Sequence, residues 1–194
     1  DDRESALAAY EQAIMFNPLS GTVRAYADMA INQPPLETAD RQYAYDQAEM
    51  YLSELRDRNT IDYFIPSTLG RLHIVLDEYG DAARYYQEAI DLDPVFHPRF
   101  YYDLAFIYYQ QGEYDQVIST TSQILNQYQS ITRTSNPNIP RDLAFLHALR
   151  AEAYLGQGKT QAAIADYMSA LDREPEFTIA LEALAELTPA SDSE

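Results

Sequence analysis

The sequence predicts an all-α protein built from antiparallel helix pairs, and three observations carry that prediction. First, a short phrase recurs five times: a small or aliphatic residue, a second residue four positions on, and a third three beyond that. The copies are Ala6/Tyr10/Ala13, Ala48/Leu52/Leu55, Ala82/Tyr86/Ala89, Val117/Thr121/Ile124 and Ala163/Tyr167/Ala170. Spacings of four and three place each trio on one helical face. Second, proline follows three copies at the same offset, at Pro18, Pro94 and Pro175, where a helix stops because proline cannot continue it. Third, the copies recur with a period close to 34 residues, lengthened at two of the gaps. A period of this size marks a repeat array, in which each unit buries its apolar face against its neighbours.

Each element follows from local signals. The first helix is expected over residues 3–16, stopped by Asn17-Pro18, and the second over 21–32, stopped by Gln33-Pro34-Pro35. The apolar face of that second helix, Val23, Tyr26, Ala27, Ala30 and Ile31, fits two registers one residue apart. A long helix spans 38–58. Pro66 and Pro98 sit where a first helical turn tolerates proline, opening helices that run to 76 and 109. Their partners cover 81–92 and 113–128. Residues 129–140 are rich in Ser, Thr, Asn and Pro and lack periodicity, so a loop interrupts the repeat there. Helices resume over 141–155 and 160–173. A last helix over 178–187 is expected to turn Ile179, Leu181, Leu184 and Leu187 inward and Glu182 and Glu186 outward, before a disordered tail.

Upstream of the later copies lies a partner phrase: Leu69-Gly70-x-x-His73, Leu104-Ala105-x-x-Tyr108 and Arg150-Ala151-x-x-Tyr154. Each precedes an expected turn, at Tyr79-Gly80-Asp81, Gln111-Gly112-Glu113 and Gln157-Gly158-Lys159. Helix, tight turn and helix, with small residues where the helices cross, resemble the tetratricopeptide repeat, most clearly over 69–94, 104–129 and 150–175. The resemblance implies a right-handed superhelical solenoid of antiparallel helix pairs with a concave binding face. It also implies one repeat domain over 1–194: a half repeat at 1–18, repeats near 21–60, 63–97, 98–129 and 144–177, a loop at 129–140, a capping helix at 178–187 and a tail at 188–194.

Composition excludes several function classes. A net charge of −18 with Lys159 as the single lysine argues against nucleic acid, whose phosphates need clustered cations, and disfavours an anionic membrane surface. The excess of acid, with arginine in place of lysine, is read as a solubilising surface. Without cysteine there are no disulfides or thiolate metal sites. No apolar run approaches the roughly 20 residues needed to cross a bilayer, and none of these residues is expected to form a signal peptide. The first phrase belongs to the second helix of a pair, so the chain reads as a piece of a longer protein. Its opening apolar face, Ala6, Leu7, Tyr10, Ala13 and Ile14, is expected to lack part of its cover.

No catalytic constellation emerges. Ala153 through Thr160 meets only the loosest phosphate-loop pattern, with alanine for the first glycine, and follows a helix rather than a strand. His73, His97 and His147 fall in separate repeats without metal-ligand spacing, and His73 takes the place of Tyr108 and Tyr154, which reads as packing. The acid pairs Asp77/Glu78, Asp91/Asp93 and Glu113/Asp115 read as solvated turn and helix-end residues. The expectation is no catalytic residue, no metal and no cofactor.

Seventeen tyrosines point instead to contact surface. In the resembled family the free face of each pair's first helix lines the inner groove. By helical phase the groove candidates are Phe64 and Arg71; then Arg99, Tyr102, Asp103, Phe106 and Tyr109; then Phe145 and Glu152. Tyr102, Phe106 and Tyr109 form one four-three stripe, with Arg71 and Arg99 as nearby cations; the alternative is that this stripe packs against the loop or a neighbouring helix. The lysines and asparagines with which some family members clamp a peptide carboxylate are missing at the matching places. The expected function is a noncatalytic scaffold that binds a protein or peptide partner. A second expectation rests on a likeness of the opening helices to repeat tails of bacterial O-antigen ligases and polymerases: a soluble region of such an enzyme, cytoplasmic or facing the cell envelope, tethered by residues upstream of Asp1. A third is self-association through the first helix.

Overall fold

A computed structural model of the protein describes residues 2–58, 61–93, 97–129 and 136–188; these form helices and connecting turns, with no strand among them. The chain divides into two compact units, residues 1–94 and 95–194.

The first unit holds α1 (Asp2–Phe16), α2 (Ser20–Asn32), α3 (Thr38–Arg58), α4 (Phe64–Val75) and α5 (Tyr79–Leu92). Helices α2 and α3 form one hairpin and α4 and α5 another, while α1 lies against α2. The ambiguous face of α2 resolves into Val23, Tyr26, Ala27 and Ala30, all buried, with Ile31 half-buried against the same core. That core continues through Ala48, Leu52, Ile65, Leu69 and Leu72. Helices α4 and α5 cross closely because Gly70 has no side chain: a Cβ there would stand 2.7 Å from two ring atoms of Tyr86.

The turn between α4 and α5 lies earlier than the sequence suggests. Glu78 N–H donates to His73 C=O at 2.9 Å and Asp77 N–H to Ile74 C=O at 3.1 Å, the paired bonds of a Schellman ending. The second unit repeats this, with Glu113 N–H on Tyr108 C=O at 2.9 Å and Lys159 N–H on Tyr154 C=O at 2.8 Å. The residue that reverses the chain has φ of 59° at Asp77, 74° at Gly112 and 72° at Gly158. Asp77, not Gly80, is therefore the counterpart of the two glycines, and Gly80 lies in the first turn of α5. Aspartate tolerates the left-handed region better than most residues, which is how the turn formed without the glycine that marked the others.

The second unit holds α6 (Pro98–Gln110), α7 (Tyr114–Tyr128), α8 (Ile139–Gly156), α9 (Thr160–Arg173) and α10 (Thr178–Leu187). Helices α6 and α7 pair, α8 and α9 pair, α6 touches α8, and α10 closes on α9. Helix α8 starts before the expected 141: Ile139 is buried and Pro140 sits in its first turn, so the expected loop gives up its last two residues. Residues 130–135 of that loop, 189–194 of the expected tail, and Pro94 lie outside the described residues. The inward face of α10 also differs. Ile179 and Leu181 are exposed, whereas Phe177, Ala180, Leu184 and Leu187 pack on α9. Phe177, just before the helix, sets a three-four-three phase that rotates the other two outward.

Candidate functional site

In the first unit the candidates Phe64 and Arg71 both stand on α4. Arg71 donates to Asp28 Oδ1 at 2.7 Å and to Asn32 Oδ1 at 3.1 Å, both on α2. The guanidinium of Arg24 lies 4.6 Å from the Phe64 ring centroid. The α2 and α4 faces thus form a polar and aromatic surface whose α2 half, Arg24, Asp28 and Asn32, the sequence phase alone did not pick out.

The second unit brings the other seven candidates onto α6 and α8. An aromatic chain runs Phe106, Tyr102, Phe145, Phe177, with centroid separations of 6.4, 5.7 and 4.9 Å. Phe106, Tyr102 and Phe145 are half-buried and Phe177 is buried. Arg99 lies over Tyr102 at 5.2 Å and Arg141 over Phe145 at 5.9 Å, distances at which a cation is drawn to a ring face. Each arginine follows the proline that opens its helix, Pro98 or Pro140, so the repeated Pro-Arg pair was the signal that would have found Arg141. Burial raises the Tyr102 phenol, with Arg99 pulling against it. Asp142, between the two arginines in the charge pattern, is raised by burial despite both.

The stripe does not run straight. Tyr109 turns to Tyr114 of α7, 5.9 Å away, and its phenol is raised by burial and then by Glu152. Glu152 itself accepts the hydroxyl hydrogen of Tyr167. Asp103 is buried, with its carboxylate 3.0 Å from Arg99 Nε; it sits under the surface as a support for that cation. Part of the aromatic layer packs on Ala105, Leu149 and Ala153, so one face of the stripe belongs to the helix–helix contact and the other is open.

The second unit also holds an ionic cluster that the sequence did not reveal. Arg150 grips Asp166 with two hydrogen bonds of 2.7 Å and donates to Ser122 at 2.8 Å; His147 Nδ1 lies 3.1 Å from the same carboxylate. Burial pushes Asp166 up, but hydrogen bonds from Arg150 and His147 and their charges outweigh it and hold the carboxyl below its usual range.

His73 packs as expected, stacked 5.1 Å from Tyr85, with Nδ1 2.6 Å from Glu78. Nε2 is 3.7 Å from Glu49, beyond hydrogen-bond reach. His73, Glu78 and Asp81 offer three ligand atoms within 4.8 Å of one another, a grouping across the turn that spacing on a single helix could not disclose. Asp81, however, accepts from Arg84 at 2.8 Å, which holds its carboxyl below the ordinary range. Of the acid pairs read as solvated, Asp93 is buried at the end of α5 while the others are exposed. The amides of Gly158 and Lys159 donate to Leu155 and Tyr154 carbonyls, which removes them from any phosphate cradle.

Two tetratricopeptide-repeat family models match the chain, one over residues 76–131 and one over 149–187. Tetratricopeptide repeats are therefore present, the class of helical repeat that serves as a protein-binding scaffold. Among solved structures the chain is similar to MamA, at 21% identity over 91% of both chains with a TM-score of 0.68. It is similar to YrrB, described as a TPR protein with an unusual peptide-binding site, at 17% identity over 94% of this chain and 83% of that one, TM-score 0.63. The N-terminal domain of stress-induced protein-1 from C. elegans matches 64% of this chain and 93% of its own at 16% identity, TM-score 0.55. These likenesses establish the fold as an all-α solenoid of paired helices. No curated protein matches the chain, and the likeness to membrane-enzyme tails gains no support from these matches.

Proposed function

We propose that the protein is a noncatalytic interaction scaffold, and that in its second unit the α6–α8 face holds a partner peptide or helix. Arg99, Tyr102, Phe106, Tyr109, Phe145 and Glu152 make the contacts, with Asp103 holding Arg99 in place; Phe64 and Arg71 serve the same role in the first unit. The observation that carries this reading is the half-open aromatic chain capped by Arg99 and Arg141. A protein of net charge −18 here concentrates rings and cations at one place, the composition of interface centres rather than of solvated surface. The peptide-binding description of YrrB adds support for a preformed groove as the mode of binding.

The test is a random peptide library selected on the full chain. A selected peptide should lose about tenfold or more in affinity on Tyr102→Ala/Phe106→Ala, as for truncated interface anchors, while the helical circular dichroism and melting profile stay near those of the parent. Equal affinity for the double variant overturns the assignment.

A further inference from the structure

At the end of α4 a buried imidazole is short of a cation. His73 is 5% exposed, and its ring lies between two carboxylates: Nδ1 is 2.6 Å from Glu78 Oε2, and Nε2 is 3.7 Å from Glu49 Oε1 on α3. Nε2 is buried and has no hydrogen-bond partner among the described residues. A neutral imidazole carries one N–H and one bare lone pair. With the hydrogen on Nδ1, the lone pair of Nε2 is buried facing Glu49; with the hydrogen on Nε2, the lone pair of Nδ1 meets Glu78 at 2.6 Å. Either arrangement sets a lone pair against an anion, a contact that burial makes costly. A cation beside Nδ1 removes the conflict, because the ring hydrogen then belongs on Nε2, toward Glu49.

We propose that His73 Nδ1, Glu78 and Asp81 bind a divalent ion of the zinc class, with Glu49 supporting the ring from behind. Their three ligand atoms lie within 4.8 Å of one another, and one imidazole with two carboxylates is a donor set that suits zinc, at bonds of about 2.0–2.2 Å. Glu78 and Asp81 keep 52% and 53% of their side-chain surface, so both can turn onto an ion arriving from solvent. The histidine is held still by its stack on Tyr85. Arg84 competes for Asp81 but takes only Oδ1, which leaves Oδ2 for the ion. Charge also favours a cation: Glu49, Glu78 and Asp81 outnumber Arg84, and Arg56 of α3 is paired with Glu88 at 2.8 Å. The helix dipoles offset one another, since His73 lies in the last turn of α4 and Asp81 in the first turn of α5. A carboxylate on the far ring nitrogen is the usual outer support of a metal-bound imidazole. The ion therefore pins the end of α4 to the start of α5 and, through Glu49, ties both to α3.

The test is titration of the full chain with zinc chloride near neutral pH, followed in proton–nitrogen spectra of the imidazole rings. The chain has three histidines and no cysteine, so the responding group can be identified. One equivalent should shift the His73 nitrogens, place the hydrogen on Nε2 alone and leave His97 and His147 unmoved. The melting midpoint should rise, as for any ligand of the folded state, and affinity should weaken as pH is lowered because protons compete for the ligands. Glu78→Gln/Asp81→Asn should weaken binding by about tenfold or more, and Glu49→Ala by about tenfold, the usual consequence of losing an outer carboxylate. Asp91→Asn, which alters an exposed carboxylate farther along α5, should change nothing. His73 resonances indifferent to zinc, or parental affinity in the double variant, overturn the proposal. So does a ring that carries hydrogen on both nitrogens in the presence of zinc, for a proton then fills the place assigned to the metal.

Discussion

The two units handle charge in opposite ways. In the first, the described arginine–carboxylate pairs stay near solvent: Arg71 and Asp28 keep 36% and 46% of their side-chain surface, and Arg56 and Glu88 are similarly placed at 2.8 Å. In the second, Arg150 and Asp166 keep only 17% and 7% and draw in His147 and Ser122. Exposed pairs contribute about 0–1 kcal/mol because water competes for both partners. A buried pair stabilises little over an apolar substitute, yet breaking it leaves one charge stranded. The comparison teaches that similar hairpins carry different vulnerabilities: the first unit depends on close packing, the second on one satisfied polar cluster.

The largest expected effect tests that cluster. Asp166→Asn leaves Arg150 without its counter-charge and should cost about 3–5 kcal/mol, read as faster amide exchange across α8 and α9, whereas Asp28→Asn in the first unit should cost under about 1 kcal/mol. The pH dependence follows from the same carboxyl. Its folded pKa lies below the unfolded value of about 3.9, so its stabilisation is complete above that value and disappears as pH falls through the depressed folded pKa. Acid titration of the second unit followed by circular dichroism should show this loss, and Asp166→Asn should abolish it. Equal acid profiles for parent and variant would remove the cluster from the account.

A smaller effect sharpens the other side of the comparison. Gly70→Ala places a methyl against the Tyr86 ring and should destabilise the first unit by about 1–3 kcal/mol, the usual penalty of overpacking, seen as faster exchange in α4 and α5. The smallest change should be favourable. Asp77→Gly relieves a left-handed residue at φ 59° and should add about 1 kcal/mol, raising the midpoint of urea unfolding; a lowered midpoint would mean that the Tyr79–Asp77 hydrogen bond outweighs the backbone relief.

Much of the fold was legible because its signals are local. Helices α3, α9 and α10 begin and end where periodicity and stop residues place them, since a four-three spacing and a proline act within a few residues. The candidate site was legible in part. Tyr102, Phe106 and Phe145 come together because α6 and α8 repeat the same phase, but Arg141, the first residue of the expected helix, was missed because apolar phase does not show that it stands over Phe145 as Arg99 stands over Tyr102. Asp103 and Glu152 shared the helical phase of the groove; the partner of Asp103, Arg99 four residues before it, follows from that phase, whereas the partner of Glu152, Tyr167 on α9, does not.

The sequence by itself determined a chain of paired helices with a repeated signature, because side-chain period and chain-breaking residues are properties of neighbours along the backbone. Only the tertiary structure decided that Asp166 is enclosed by Arg150 and His147, and that Asp77 rather than Gly80 makes the turn. Those outcomes depend on what a second helix brings to the first, and burial is a property of the pair rather than of either sequence segment.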